Sequence, residues 1–162
     1  MLDFQYLYET YVTDVYRFSY WLCGEAADAE DITSETFLRA WTRRETIRTE
    51  TMRAYLLSIA RNLYLERLRK HQLHARLNDA MADPGLGLAK RVEDRDDLAR
   101  IQIALQKLNE VDRAAFLLRV QHELPYEEIA RVLQLSLSTV KVKVHRVRLK
   151  LTSVVANEET LS

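Results

Sequence analysis

The sequence predicts an all-α protein made of two small helical domains joined by a flexible linker. Only three glycines and two prolines occur among 162 residues, which leaves little material for the tight turns of a β-sheet. Apolar residues recur at helical spacing along most of the chain. The breakers also cluster: Pro84, Gly85 and Gly87 fall together in "ADPGLGLAK", residues 82–90, and mark a linker near the middle.

In chain order, the N-terminal half reads as three to four helices. The first, about 3–22, is rich in Tyr and Phe. The second, about 26–44, places Ala29, Ile32, Thr36, Phe37, Ala40 and Trp41 on one stripe, and the third covers about 52–74. The C-terminal half reads as four helices, about 94–108, 111–121, 126–133 and 137–152. The domains are expected at 1–76 and 94–155, with 77–93 as the linker. Halves of about 75 residues close only small cores and lean on aromatic side chains, so most N-terminal aromatics are expected to be packing residues.

The composition, 48% hydrophobic and 30% charged, is that of a folded globular chain. No apolar run reaches the ~18 residues of a membrane span. The start "MLDFQYLYET" has neither a basic leader nor an apolar signal core, so a cytoplasmic protein is expected. Cys23 is the single cysteine; it excludes an internal disulfide and a cysteine metal cage, and in "YWLCG" it reads as a small buried hydrophobe.

The formal net charge is zero, yet the charges are segregated. Residues 136–153 carry Lys141, Lys143, Arg146, Arg148 and Lys150 without an acid, while residues 25–35 carry Glu25, Asp28, Glu30, Asp31 and Glu35 without a base. Two surfaces with different partners are implied.

The segment "STVKVKVHRVRLKL" (138–151) begins with strand-like alternation, but His145 and Arg146 break the pattern and the phase then inverts. At helical period Leu137, Val140, Val144, Val147 and Leu151 form a continuous stripe. Upstream, "PYEEIARVL" has Pro125 in the first helical turn, Glu127 and Glu128 at the positive end of the helix dipole, and Ile129, Val132 and Leu133 on its apolar face. Two helices with a short break at "QLSLS", where Ser136 or Ser138 can cap the second, make a helix-turn-helix. Gln134 stands at the turn position that asks for a left-handed residue, at a cost of about 1 kcal/mol. The second helix then presents Ser138, Thr139, Lys141, Val142, Lys143, His145 and Arg146 to a DNA major groove, with Val142 suited to a thymine methyl and the lysines to guanine edges or phosphates.

Three blocks, "DAEDITSETFLRAW" (28–41), "YLLSIARNLYLERLRK" (55–70) and "LLRVQHELPYEEIARVLQLSLSTVKVKVHRVRLKL" (117–151), resemble in order and spacing the signature blocks of the bacterial extracytoplasmic-function (ECF) sigma factors of the sigma-70 family. The resemblance implies an RNA polymerase specificity subunit with a region 2 domain and a region 4 domain. Its expected partners are core RNA polymerase (the clamp helices of the largest subunit, and the flap), promoter DNA and an anti-sigma factor, with no small-molecule substrate. Asp28, Asp31, Glu35, Phe37, Leu38 and Trp41 carry over as polymerase-binding positions, although Phe37 and Trp41 also read as core. Ser34 stands where the family usually has Gln. Tyr55, Arg61, Asn62, Tyr64 and Arg67 carry over as the promoter-melting surface: the basic helix tracks phosphates, Asn62 in "IARN" contacts the edge of an unstacked base, and Tyr55 or Tyr64 stacks on it. Glu66 replaces the usual Asp, and "ETIRTET" (45–51) would be the selectivity loop.

No catalytic residue, metal or cofactor is expected. His71 and His74 lie three apart on a helix, but no third ligand is near, and there is no phosphate-binding glycine loop or nucleophile motif. The alternative is a stand-alone helix-turn-helix regulator with an N-terminal ligand or dimer module. The linker fixes no single orientation, so the free chain is expected to be able to fold its halves together and cover both functional faces.

Overall fold

The computed structural model describes residues 3–43, 51–77 and 97–159, the last three by their backbone alone. The expected selectivity loop and linker lie almost wholly outside these residues. Every regular element among the described residues is a helix: α1 (Phe4–Cys23), α2 (Ala26–Thr42), α3 (Met52–Leu77), α4 (Asp97–Lys107), α5 (Glu110–Phe116), α6 (Tyr126–Leu133) and α7 (Leu137–Glu159). The all-α expectation holds, with three described helices before the linker and four after it.

Local chemistry sets the boundaries. Asp3 caps α1, its Oδ1 accepting the Gln5 N–H at 3.2 Å. The helix stops at Gly24, whose φ of 82° is the left-handed conformation that closes a helix. In α2 the hydroxyls of Thr33 and Thr36 donate to the carbonyls of Ala29 and Ile32 at 2.7 and 2.6 Å, which lets two polar side chains sit in the core. Asn109 caps α5 by accepting the Asp112 N–H at 2.9 Å.

Two expectations need amendment. The helix expected over 111–121 is not uniform: α5 runs into a π-helical turn at Leu117–Gln121, where the His122 N–H reaches the Leu117 carbonyl at 3.2 Å. Periodicity cannot show this, because one wide turn leaves Leu117 and Leu118 apolar and buried. Cys23 is half-buried rather than buried, and its thiol donates to the Glu25 carbonyl at 3.3 Å; burial pushes its pKa up.

A single apolar core runs through both halves, from Phe18, Leu22 and Phe37 to Leu105, Leu118, Ile129, Val140 and Val144. Each such large side chain contributes roughly 1.5–3 kcal/mol on burial. The halves meet where α1 packs on α4, α5 and the π turn, and where α3 packs on α6. The end of α1 depends on this contact. Gln106 donates to the carbonyls of Trp21 and Leu22 at 3.2 and 3.3 Å, in the last turn where a helix lacks its own donors, and Gln102 adds a 3.4 Å bond to the Tyr20 carbonyl, which also accepts the Gly24 N–H.

Candidate nucleic-acid interface

The helix-turn-helix is built as the sequence requires. Gln134 ends α6 at φ 56°, ψ 47°, the left-handed turn, and the Leu135 N–H reaches back to the Ala130 carbonyl at 3.0 Å. Ser136 caps α7 by accepting the Thr139 N–H at 3.2 Å, and its hydroxyl lies 2.7 Å from that of Thr139. Val140, Val144, Val147 and Leu151 are buried against the core, whereas Leu137, the first position of the expected stripe, is exposed. The opposite face is open: Ser138, Lys141, Val142, His145 and Arg146 are exposed, and Thr139 is half-exposed. Val142 keeps 47% of its surface in solvent with basic neighbours on both sides. The Lys141 ammonium also lies 5.8 Å from the ring centroid of Tyr126 on α6, which tethers the two helices of the motif. Lys143 is the exception on this face, half-buried with its Nζ 2.7 Å from the Asp112 carboxylate at the start of α5.

The promoter-melting positions on α3 are divided. Asn62 is exposed. Tyr55 is half-buried and lines a cleft of about 290 Å³ between α3 and α6, opposite Glu128 and Arg131. Arg61 and Tyr64 are withdrawn. The guanidinium of Arg61 donates to both carboxylate oxygens of Glu110 at 2.6 and 2.9 Å, with both side chains almost fully covered. Tyr64 is buried, and its hydroxyl accepts from Arg113 at 2.8 Å. Burial raises the Tyr64 pKa, partly opposed by the nearby Arg113 charge. Arg113 is a buried cation that also donates to the Leu105 and Leu108 carbonyls at the end of α4. In this arrangement neither Arg61 nor Tyr64 offers a surface to DNA.

The acidic face of α2 is exposed but less unbalanced than the sequence suggests. Arg67 of α3 reaches across to Asp28 at 3.5 Å and Asp31 at 3.8 Å, so a residue assigned to phosphate tracking here neutralises two assigned to polymerase. Arg39 pairs with Glu66 at 3.2 Å, a bond that holds the Glu66 carboxyl below its usual range. Glu35 is exposed and Leu38 is 63% exposed. Phe37 is buried edge-on to Tyr8, with ring centroids 5.1 Å apart, and so is a core residue rather than a contact. Trp41 is half-buried against Phe4 at 5.5 Å. Sequence reasoning missed Glu110, Asp112 and Arg113, which sit among these residues. No local signal marks them: "NEVDR" reads as an ordinary helix start.

Comparison with known proteins resolves the family. Residues 7–74 match the profile of sigma-70 region 2, and residues 98–151 match that of sigma-70 region 4. The chain belongs to the ECF sigma factors of the sigma-70 family. The sigma factor is 32% identical over 151 residues to the ECF RNA polymerase sigma factor SigE of Mycolicibacterium smegmatis, covering 90% of this chain but only 59% of that protein. It is 27% identical over 154 residues to SigM of Bacillus subtilis, covering 90% of each. Its fold matches that of the sigma factor RpoE solved with the anti-sigma factor NepR from Bartonella quintana, with a TM-score of 0.81 over 95% of this chain and 97% of that one, at 22% identity. No helix among the described residues of the sigma factor is long and apolar enough to cross a membrane.

Proposed function

We propose that this sigma factor binds core RNA polymerase, reads an upstream promoter element with α7 and opens the promoter with α3. Residues 1–76 form the polymerase-binding and melting domain, 77–93 the linker, and 94–155 the upstream-element domain. The carrying observation is the face of α7, where Lys141, Val142, His145 and Arg146 are exposed on a helix whose other side is anchored by Val140, Val144 and Val147. An exposed valine flanked by cations suits a major-groove reader, the methyls meeting a thymine methyl and the cations phosphates or guanine edges.

On α2, the half-exposed Asp28, the exposed Asp31 and Glu35, and exposed Leu38 supply an acidic and apolar docking face for the polymerase clamp helices; the region 4 half meets the flap. Asn62 contacts the edge of an unstacked base and Tyr55 offers a stacking face, Arg61 and Tyr64 join once the halves separate, and Arg67 joins by exchanging Asp28 and Asp31 of its own half for phosphate. The protein works in the cytoplasm as a binding subunit without chemistry of its own, and an anti-sigma factor restrains it. Reconstitution tests this: core polymerase pulled down with the tagged chain should initiate at promoters that core alone ignores. A chain that binds a duplex tightly alone and fails to retain core polymerase would instead be a stand-alone regulator.

A further inference from the structure

We propose that the first turn of α5 is a built-in substitute for DNA phosphate, which holds the protein closed by occupying the cations that DNA would otherwise use. This rests on the sigma-factor reading of α3 and α7. Two carboxylates on one turn, Glu110 and Asp112, each take one cation from a different DNA-facing helix. Glu110 grips Arg61 of α3 through two parallel N–H···O bonds at 2.6 and 2.9 Å, the same forked geometry with which arginine holds a phosphate. Asp112 holds Lys143 of α7 at 2.7 Å. One turn further on, Arg113 fixes the hydroxyl of Tyr64, the stacking candidate, at 2.8 Å.

The Arg61 and Tyr64 contacts both cross between the halves, and both bury a residue assigned to promoter melting. With its Nε and Nη2 committed to Glu110 and its side chain almost covered, Arg61 is out of reach of a DNA phosphate while the halves are closed, so the closed form and the DNA-bound form exclude each other at this position. Beside the shared apolar core, the interface also holds polar groups that parting would relieve. Gln102 and His122 face the first half across it, and each leaves a buried polar atom, Oε1 and Nε2, without a hydrogen-bond partner. Such atoms gain water when the halves separate. The polymerase, or DNA presented by it, then only has to favour the open form by the free energy of closure, and the apparent affinity of the free chain is lowered by the fraction that is closed.

The test uses the full-length chain and the variants Glu110→Arg and Arg61→Glu/Glu110→Arg. Small-angle scattering should give the wild type the radius of gyration of one compact body, about 15 Å for this length. Glu110→Arg places two cations face to face, so its radius should rise by several ångström, while the doubly reversed pair should return to the compact value. Circular dichroism reads helix content independently, and an expanded Glu110→Arg chain that had lost its helices would count against a latch and for a purely structural pair. In the same preparations, Glu110→Arg should bind core polymerase about tenfold more tightly than wild type. Expansion without tighter binding would overturn occlusion, and an unchanged radius would overturn the latch itself. Failure of every form, wild type included, to bind core polymerase would instead sink the sigma-factor reading on which the proposal stands.

Discussion

Asn62, the residue proposed to contact the unstacked base, shares little with its surroundings. Its neighbours in sequence, Arg61 and Leu63, are tied down, one by Glu110 and the other in the core, while Asn62 itself is exposed on α3. Asn62→Ala therefore removes a side chain that holds nothing in place, and stability should change by less than about 0.5 kcal/mol. Polymerase binding should also be kept. Open-complex formation should fall, because exposing an unstacked base costs a few kcal/mol and the alanine offers its edge no hydrogen bond to offset that cost. Permanganate reactivity of a supercoiled promoter reads this directly, and wild-type reactivity would remove Asn62 from the melting surface. The exposure of this residue was legible in the sequence because it lies off the apolar stripe of its helix. Tyr64, two residues on, was not: only the fold reveals that Arg113 draws it inward.

At the scale of the element, α7 was the most legible part of the chain. Its stripe of Val140, Val144, Val147 and Leu151 is a local property of 3.6-residue periodicity, and the structure buries all four. The left-handed Gln134 and the Ser136 cap were readable for the same reason, since a turn's demands fall within a few residues. Lys143 looks like an equal of Lys141 in the sequence, because its carboxylate partner lies 31 residues away. The difference has a measurable result. Lys141→Ala should lower the salt-dependence slope of holoenzyme binding to an upstream-element duplex by about 0.9 for each phosphate left without its cation. Lys143→Ala should lower it by less, since the ammonium already has an anion and its transfer to phosphate releases no full counterion equivalent. Fluorescence anisotropy over a salt series decides this, and equal slopes for the two variants would show that Asp112 lets go of Lys143 on DNA.

For the whole molecule, the sequence left the arrangement of the halves open, because a linker with Pro84, Gly85 and Gly87 encodes no orientation and the contacts that supply one, Arg61 to Glu110 and Tyr64 to Arg113, each span 49 residues. His122 makes that arrangement sensitive to acid. It follows the π turn in the second half, is 2% exposed, and lies edge-on to Phe18 of α1 at 5.6 Å, with Nδ1 4.0 Å from Asp14. Burial, with lesser contributions from Arg53 and Arg17, lowers its pKa from 6.5 to about 4, and the ring is neutral at pH 7. The folded value lies below the unfolded one, so the closed fold has its full stability above about pH 6.5 and loses it as pH falls toward 4. Any state that solvates the ring takes up the proton first. Over the whole window this amounts to about 3 kcal/mol at 1.36 kcal/mol per pKa unit, with Asp14 on α1 positioned to offset part of it. Because Phe18, Asp14, Arg17 and Arg53 all belong to the first half, parting the halves solvates His122 without unfolding either, and mild acid should favour the open form. Between pH 7 and 5 the wild type should lose stability in urea titrations and gain radius in scattering, whereas His122→Gln, which cannot charge, should show a much flatter dependence. A variant with the wild-type pH profile would mean that groups other than His122 set the acid response.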